Sequence, residues 1–207
     1  MAFFRTLAYV SPLLVGFGMA AALAWTAERP LRRRAEWAGA VAAGAPVLLF
    51  LVSIFGNIGL FLPTALVLIA FAVLVWGLYL FMEALRLPPG ICQVAASLAV
   101  AFLVGTVFLL GPVVQHAEEA GLSGEAIYRR ITLALAVNPY ATLAYSVFGE
   151  DLLRQPAFYD HITRAADFQH GQPRWGVTAC GYALAGSALA AAAFGLGHAR
   201  RRWAKPA

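Results

Sequence analysis

A chain of 207 residues that is 61% hydrophobic and 12% charged carries too much apolar surface for a water-soluble domain, in which about 45–50% of residues are apolar and about 25% charged. The length accommodates one membrane domain and no sizeable soluble one. The formal net charge of +5 is concentrated in short arginine clusters beside apolar runs, the pattern left by retention on the cytoplasmic face, so nucleic acid is not an expected partner.

A bilayer-spanning helix needs about 20 mostly apolar residues, and five segments qualify. The first covers residues 7–27. Only Arg5 precedes it, and it stops at the basic stretch from Glu28 to Arg34 instead of a small-residue cleavage site, so it reads as a retained span and not a secretory signal. The second covers residues 37–55 and ends at the turn signal Gly56, Asn57, Ile58, Gly59, with Pro63 expected at the start of the next helix. The third covers residues 64–82, the fourth 93–114 and the last 177–196, which stops ahead of the arginines following His198. The expected fold is an all-α, polytopic helical membrane protein forming one transmembrane domain over residues 1–207.

Residues 115–175 differ in character. They hold seven of the ten acidic residues and three of the four histidines. The middle, residues 131–148, is apolar again but is broken at Asn138-Pro139, where proline removes a backbone donor that lipid cannot replace. Charge fixes its topology. If the Arg29–Arg34 stretch and the tail to Lys205 both face the cytoplasm, an even number of crossings separates them. The four later spans satisfy this, and a sixth full crossing would not. Residues 131–148 are therefore expected to form an external re-entrant or interfacial helical hairpin. The N-terminus, the turn at Gly56 and residues 115–175 are then expected outside, and residues 83–90 with Arg86 and the C-terminus in the cytoplasm.

Aromatic residues suit the two interfaces: Tyr128, Tyr140, Tyr145, Phe148, Phe158, Tyr159 and Trp175 outside, Trp25, Trp37 and Trp203 inside. Two small-xxx-small pairs, Gly16 with Ala20 and Gly181 with Ala185, predict close helix packing within the bundle. Cys92 and Cys180 lie at or within apolar runs without metal-ligand spacing and read as small core hydrophobes.

Little here points to catalysis. The first four spans carry no charge within their apolar cores, which argues against a proton-driven pump. No HExxH, GxSxG or Walker-type loop is present, so no catalytic, cofactor or metal residue is assigned and ATP hydrolysis by this chain is not expected. His161 and His170, with Asp160 and Asp167, fit no familiar ligand pattern and read as solvated or interfacial side chains. The acidic pairs Glu118-Glu119 and Glu150-Asp151 read as charges at helix N-termini. An enzyme using Glu150, Asp151, Asp160 or His161 is the competing catalytic reading.

Several segments carry a family resemblance. An apolar helix ends in Phe81-Met-Glu-Ala-Leu-Arg-Leu87, and the next span contains Leu110-Gly-Pro112. The stretch Ile131-Thr-Leu-Ala-Leu-Ala-Val-Asn-Pro-Tyr-Ala-Thr-Leu-Ala-Tyr145 precedes a final helix ending Gly197-His-Ala-Arg-Arg-Arg-Trp203. Over residues 60–203 the chain resembles the permease subunits of ABC-2 type, exporter-class ABC transporters. The resemblance implies that the five spans correspond to the family's second to sixth. It also implies a separate cytoplasmic ATP-binding subunit, a second membrane subunit, and a hydrophobic or lipid-like substrate. Contact with the ATPase would fall on Glu28, Arg29, Arg32, Arg33, Arg34 and Glu36, with Arg86 second. Asn138, Pro139 and Tyr140 would form an external gate. Taken singly, each arginine also reads as a topology signal attracting anionic membrane lipid. A non-catalytic accessory subunit of a larger membrane complex is the alternative function.

Overall fold

The computed structural model describes residues 2–53, 58–151, 153 and 170–203, which are helical apart from turns and short connections. Helix α1 (Ala2–Trp25) is followed by α2 (Leu31–Ser53), α3 (Ile58–Ala84) and α4 (Pro89–Gly105). A 3₁₀ turn (Thr106–Leu109) carries α4 into α5 (Leu110–Glu119). Next come α6 (Gly124–Ala136), α7 (Pro139–Thr142) with a π-helical turn (Leu143–Phe148), and finally α8 (Trp175–Trp203).

Five runs are long and apolar enough to cross a membrane: Phe4–Trp25, Leu31–Ser53, Ile58–Ala84, Pro89–Glu119 and Trp175–His198. Their outward surface is apolar too, since Leu14, Phe17, Leu48, Leu51, Leu98, Phe102 and Leu184 are all exposed. In water such a surface would aggregate, whereas hydrocarbon solvates it. The chain is a polytopic helical membrane protein.

The boundaries differ from the sequence expectation in instructive ways. Helix α2 begins at Leu31, so Arg32, Arg33, Arg34 and Glu36 lie on its first two turns and not in a loop. Helix α3 begins at Ile58, which puts Pro63 inside it. Pro63 offers no N–H to the carbonyl one turn back, but Thr64 Oγ1 donates to the Leu60 carbonyl at 2.7 Å. The rest of the predicted turn, Gly56 and Asn57, lies outside the described residues.

Helix α3 is the hub, packing against α8, α2, α1 and α4. Its tightest partner is α8, and two glycines make that approach possible. A Cβ at Gly77 would sit 2.0 Å from the Gly186 carbonyl oxygen, and one at Gly186 would sit 2.4 Å from the Val73 oxygen. Of the two small-residue pairs expected to pack, Gly16 and Ala20 are buried, and a Cβ at Gly16 would meet Val100 at 2.5 Å. Gly181 and Ala185 are exposed, with open space beside Gly181. The contact therefore falls on Gly186 because the buried stripe of α8 runs through Thr178, Tyr182 and Gly186, one face round from Gly181. Cys92 is buried as expected, but Cys180 is exposed on the outer face of α8.

Candidate functional site

The feature that departs most from a plain bundle is the bent pair formed by α6 and by α7 with its π turn, Gly124–Ala136 and Pro139–Phe148, which meet at 88°. The residues at the break explain it. Pro139 occupies the first position of the new helix, where a missing N–H costs nothing, and Asn138 caps it by accepting from the Ala141 N–H at 2.9 Å. Asn138 is fully buried. Its amide nitrogen is placed to donate to the carbonyls of Leu103 (2.9 Å) and Val104 (2.8 Å) and to Thr106 Oγ1 (2.9 Å). These acceptors lie where α4 gives way to its 3₁₀ turn.

From the other side, α8 satisfies the carbonyls left over at the end of α6. Thr178 Oγ1 donates to the Ala136 oxygen at 3.1 Å, and the Tyr182 hydroxyl donates to the Val137 oxygen at 2.7 Å. Thr142 Oγ1 donates to Thr178 Oγ1 at 3.1 Å. The apex is thus clamped between α4 and α8 by protein partners, as backbone at membrane depth requires. Tyr182 lies two turns into α8, on the order of 10 Å from its start at 1.5 Å per residue. The arms are packed as well: Ile127, Ile131 and Leu135 of α6 share a core with Val107, Leu110 and Val114.

Both arms return to the same end of the bundle. The first follows directly from α5; the second ends at Glu150, whose carboxylate is ion-paired with Arg5 and accepts from the Tyr9 hydroxyl at 2.8 Å. The Arg5 guanidinium also lies 5.7 Å from the Phe148 ring centre. Phe4 and Tyr9 pack on Phe148 at 6.2 and 5.3 Å, and Tyr9 meets Tyr140 edge-on at 6.5 Å. Tyr145 donates to Asp151 and lies 3.1 Å from His170 Nε2. Tyr140, Tyr145 and Phe148 therefore turn inward and do not serve as interface anchors, whereas Tyr128 is exposed.

The acidic pairs also sit differently from expectation. Glu119 closes α5, and Glu150-Asp151 follow the end of the π turn, so both pairs lie at helix C-termini. Glu119 accepts from the side chain of Gln115 at 3.0 Å; Glu150 and Asp151 are bound as just described. Phe158, Tyr159, Asp160, His161 and Asp167 lie outside the described residues. Among the described residues no three His, Cys, Asp or Glu side chains come together as metal ligands.

The arginine-rich stretch lies at the opposite end. Glu28 and Arg29 are exposed in the turn before α2, and Trp25 stacks edge-on with Trp37 at 5.3 Å. Arg32 and Arg33 are exposed, and Arg32 pairs with Glu36 one turn on at 3.2 Å. Arg34 is different: it is buried and forks onto Glu83, with Nη1–Oε1 at 2.9 Å and Nη2–Oε2 at 2.8 Å, above the Tyr79 ring at 5.9 Å. Arg86 is exposed with φ 67°, and ends α3 in a Schellman arrangement: its N–H reaches the Glu83 oxygen at 2.8 Å and the Leu87 N–H reaches the Met82 oxygen at 3.4 Å. Glu28, Arg29, Arg32, Arg33, Glu36 and Arg86 thus remain on the surface, and Arg34 is spent on an internal clamp. Sequence reasoning missed Glu83 as its partner; the available signal was a lone carboxylate ending the most apolar span. No protein-family model, no curated protein and no solved structure matches this chain.

Proposed function

We propose that the chain is the membrane-spanning permease subunit of an ABC-type exporter in a bacterial inner membrane. It would work with a separate cytoplasmic ATP-binding subunit and a second membrane subunit on a hydrophobic or lipid-like substrate. The observation that carries this reading is the bent helix pair inserted before the last span and clamped between α4 and α8 through Asn138, Thr178 and Tyr182. A structural cap could sit on top of the bundle; this apex instead reaches between two spans, where a small shift of either changes how the far exit is closed. Packed helices have discrete arrangements, so a push at one end is converted into rocking and not into gradual deformation.

In this reading the arginine end faces the cytoplasm. The exposed Glu28, Arg29, Arg32, Arg33 and Glu36, with Arg86, meet the ATPase, while the Arg34–Glu83 clamp passes the displacement of α2 to the hub helix α3. Asn138, Pro139 and Tyr140 belong to the gate at the other end. The test is affinity purification of the tagged chain in mild detergent. A Walker-type ATPase should co-purify, and the double reversal Arg29→Glu with Arg33→Glu should lower its recovery at least tenfold without changing the thermal stability of the chain. Recovery without any ATP-binding protein, within a stable cofactor-bearing complex, would overturn the transporter and assign an accessory subunit.

A further inference from the structure

Beside the Gly77–Gly186 crossing the bundle leaves an apolar groove of about 520 Å³. Its floor is α3, from Val73 through Trp76 to Leu80; one wall is the start of α2 at Arg32 and Ala35, and the other is α8 at Ala190 and Phe194. We infer that this groove holds one acyl chain of an anionic glycerophospholipid, with the lipid phosphate at Arg32.

The size falls within the roughly 300–1,000 Å³ of a typical ligand site. From Leu80 to Val73 the floor is about 10 Å long, some two-thirds of the hydrocarbon depth of one leaflet of a bilayer about 30 Å thick. The groove opens sideways, between spans whose outer faces are already apolar, so its natural occupant is a hydrocarbon chain from the surrounding leaflet. Charge selects the headgroup. The α2 wall runs into cations: it carries Arg32 and Arg33 on its exposed first turn. Arg32 is 91% exposed along its side chain, and its partner among the described residues, Glu36, is itself 56% exposed. An exposed pair of this kind holds its partners only weakly, so a phosphate can take the guanidinium over. The inference is independent of the transport reading.

The experiment incubates the purified chain in mild-detergent micelles containing equal amounts of phosphatidylglycerol and phosphatidylcholine, and reads retained lipid by native mass spectrometry. One phosphatidylglycerol per chain is expected, favoured over phosphatidylcholine. Arg32→Gln should lower retention about fivefold, the weight of one arginine near an anionic surface. Ser187→Phe, at an exposed position on the groove wall, should abolish retention while leaving the circular dichroism and melting temperature unchanged. Ala188→Phe, exposed on α8 but outside the groove, should retain the lipid. Equal retention of the two lipids, or undiminished retention in Ser187→Phe, would overturn the site. So would a Ser187→Cys variant that cross-links into dimers in lipid-free micelles, because a second copy would then fill the groove.

Discussion

Arg34 illustrates how little freedom a charged side chain has inside such a bundle. Taking an ion out of water costs several kcal/mol unless a counter-charge and hydrogen bonds replace the lost hydration. Arg34, 8% exposed along its side chain, meets that condition by forking onto both oxygens of Glu83, which keeps 34% of its side chain accessible. The two partners are therefore not equivalent. Glu83→Leu strands a buried guanidinium and should destabilise the chain by about 3 kcal/mol. Arg34→Met leaves a carboxylate that water can still reach, and should cost less than half as much. Unfolding by dodecyl sulfate titration in micelles measures both, and the double variant should fall close to Arg34→Met. Equal costs for the two single changes would mean that the pair behaves as a surface salt bridge of little weight.

Helices were readable because their apolar runs have the length that a bilayer demands, and the break at Asn138-Pro139 was readable because proline withholds a backbone donor that lipid cannot replace. Helix α3 nevertheless carries Pro63 without breaking, so proline alone does not fix a break. Hydropathy could not say which residues would satisfy that break. Thr178 and Tyr182 are some forty residues downstream, and they look like ordinary members of an apolar span until α8 is laid against α6. The Arg34–Glu83 contact, 49 residues apart, was hidden in the same way. Small-residue spacing showed that close packing was expected but not on which face, because an alanine-rich helix satisfies the motif in several registers. This gives a sharp contrast at the α3–α8 contact. Gly77→Ala and Gly186→Ala each drive a methyl into backbone, which cannot move aside as a side chain could, and should destabilise by about 1–3 kcal/mol. Gly181→Ala meets open space, and should be neutral or slightly stabilising through helix propensity. Melting temperatures in one detergent compare the three. A loss at Gly181 as large as at Gly77 would relocate the contact.

At the scale of the whole chain, two long-range ion pairs among the described residues mark opposite ends of the bundle. Arg5, bound to Glu150, and Trp25, stacked on the Trp37 of α2, are separated by a helix of about 30 Å at 1.5 Å per residue, which matches the hydrocarbon thickness. Arg34 and Glu83 belong to the Trp25 end; the start of α6 and both arms of the bent pair belong to the Arg5 end. That geometry predicts a labelling pattern whatever the orientation in the cell. In a chain with Cys92 and Cys180 replaced by alanine, single cysteines at Arg33 and Arg86 should react with a membrane-impermeant maleimide from one side, and cysteines at Gly121 and Glu125 from the other. The four positions are exposed. Positive charge retained in the cytoplasm adds the sign: Gly121 and Glu125 should label in intact spheroplasts, and Arg33 and Arg86 only after permeabilisation. Reaction of Arg33 and Gly121 from the same side would break the five-span architecture itself. The reversed pattern would leave the architecture standing but put the arginine end outside the cell, out of reach of any cytoplasmic ATPase, and the proposed coupling surface would fall with it.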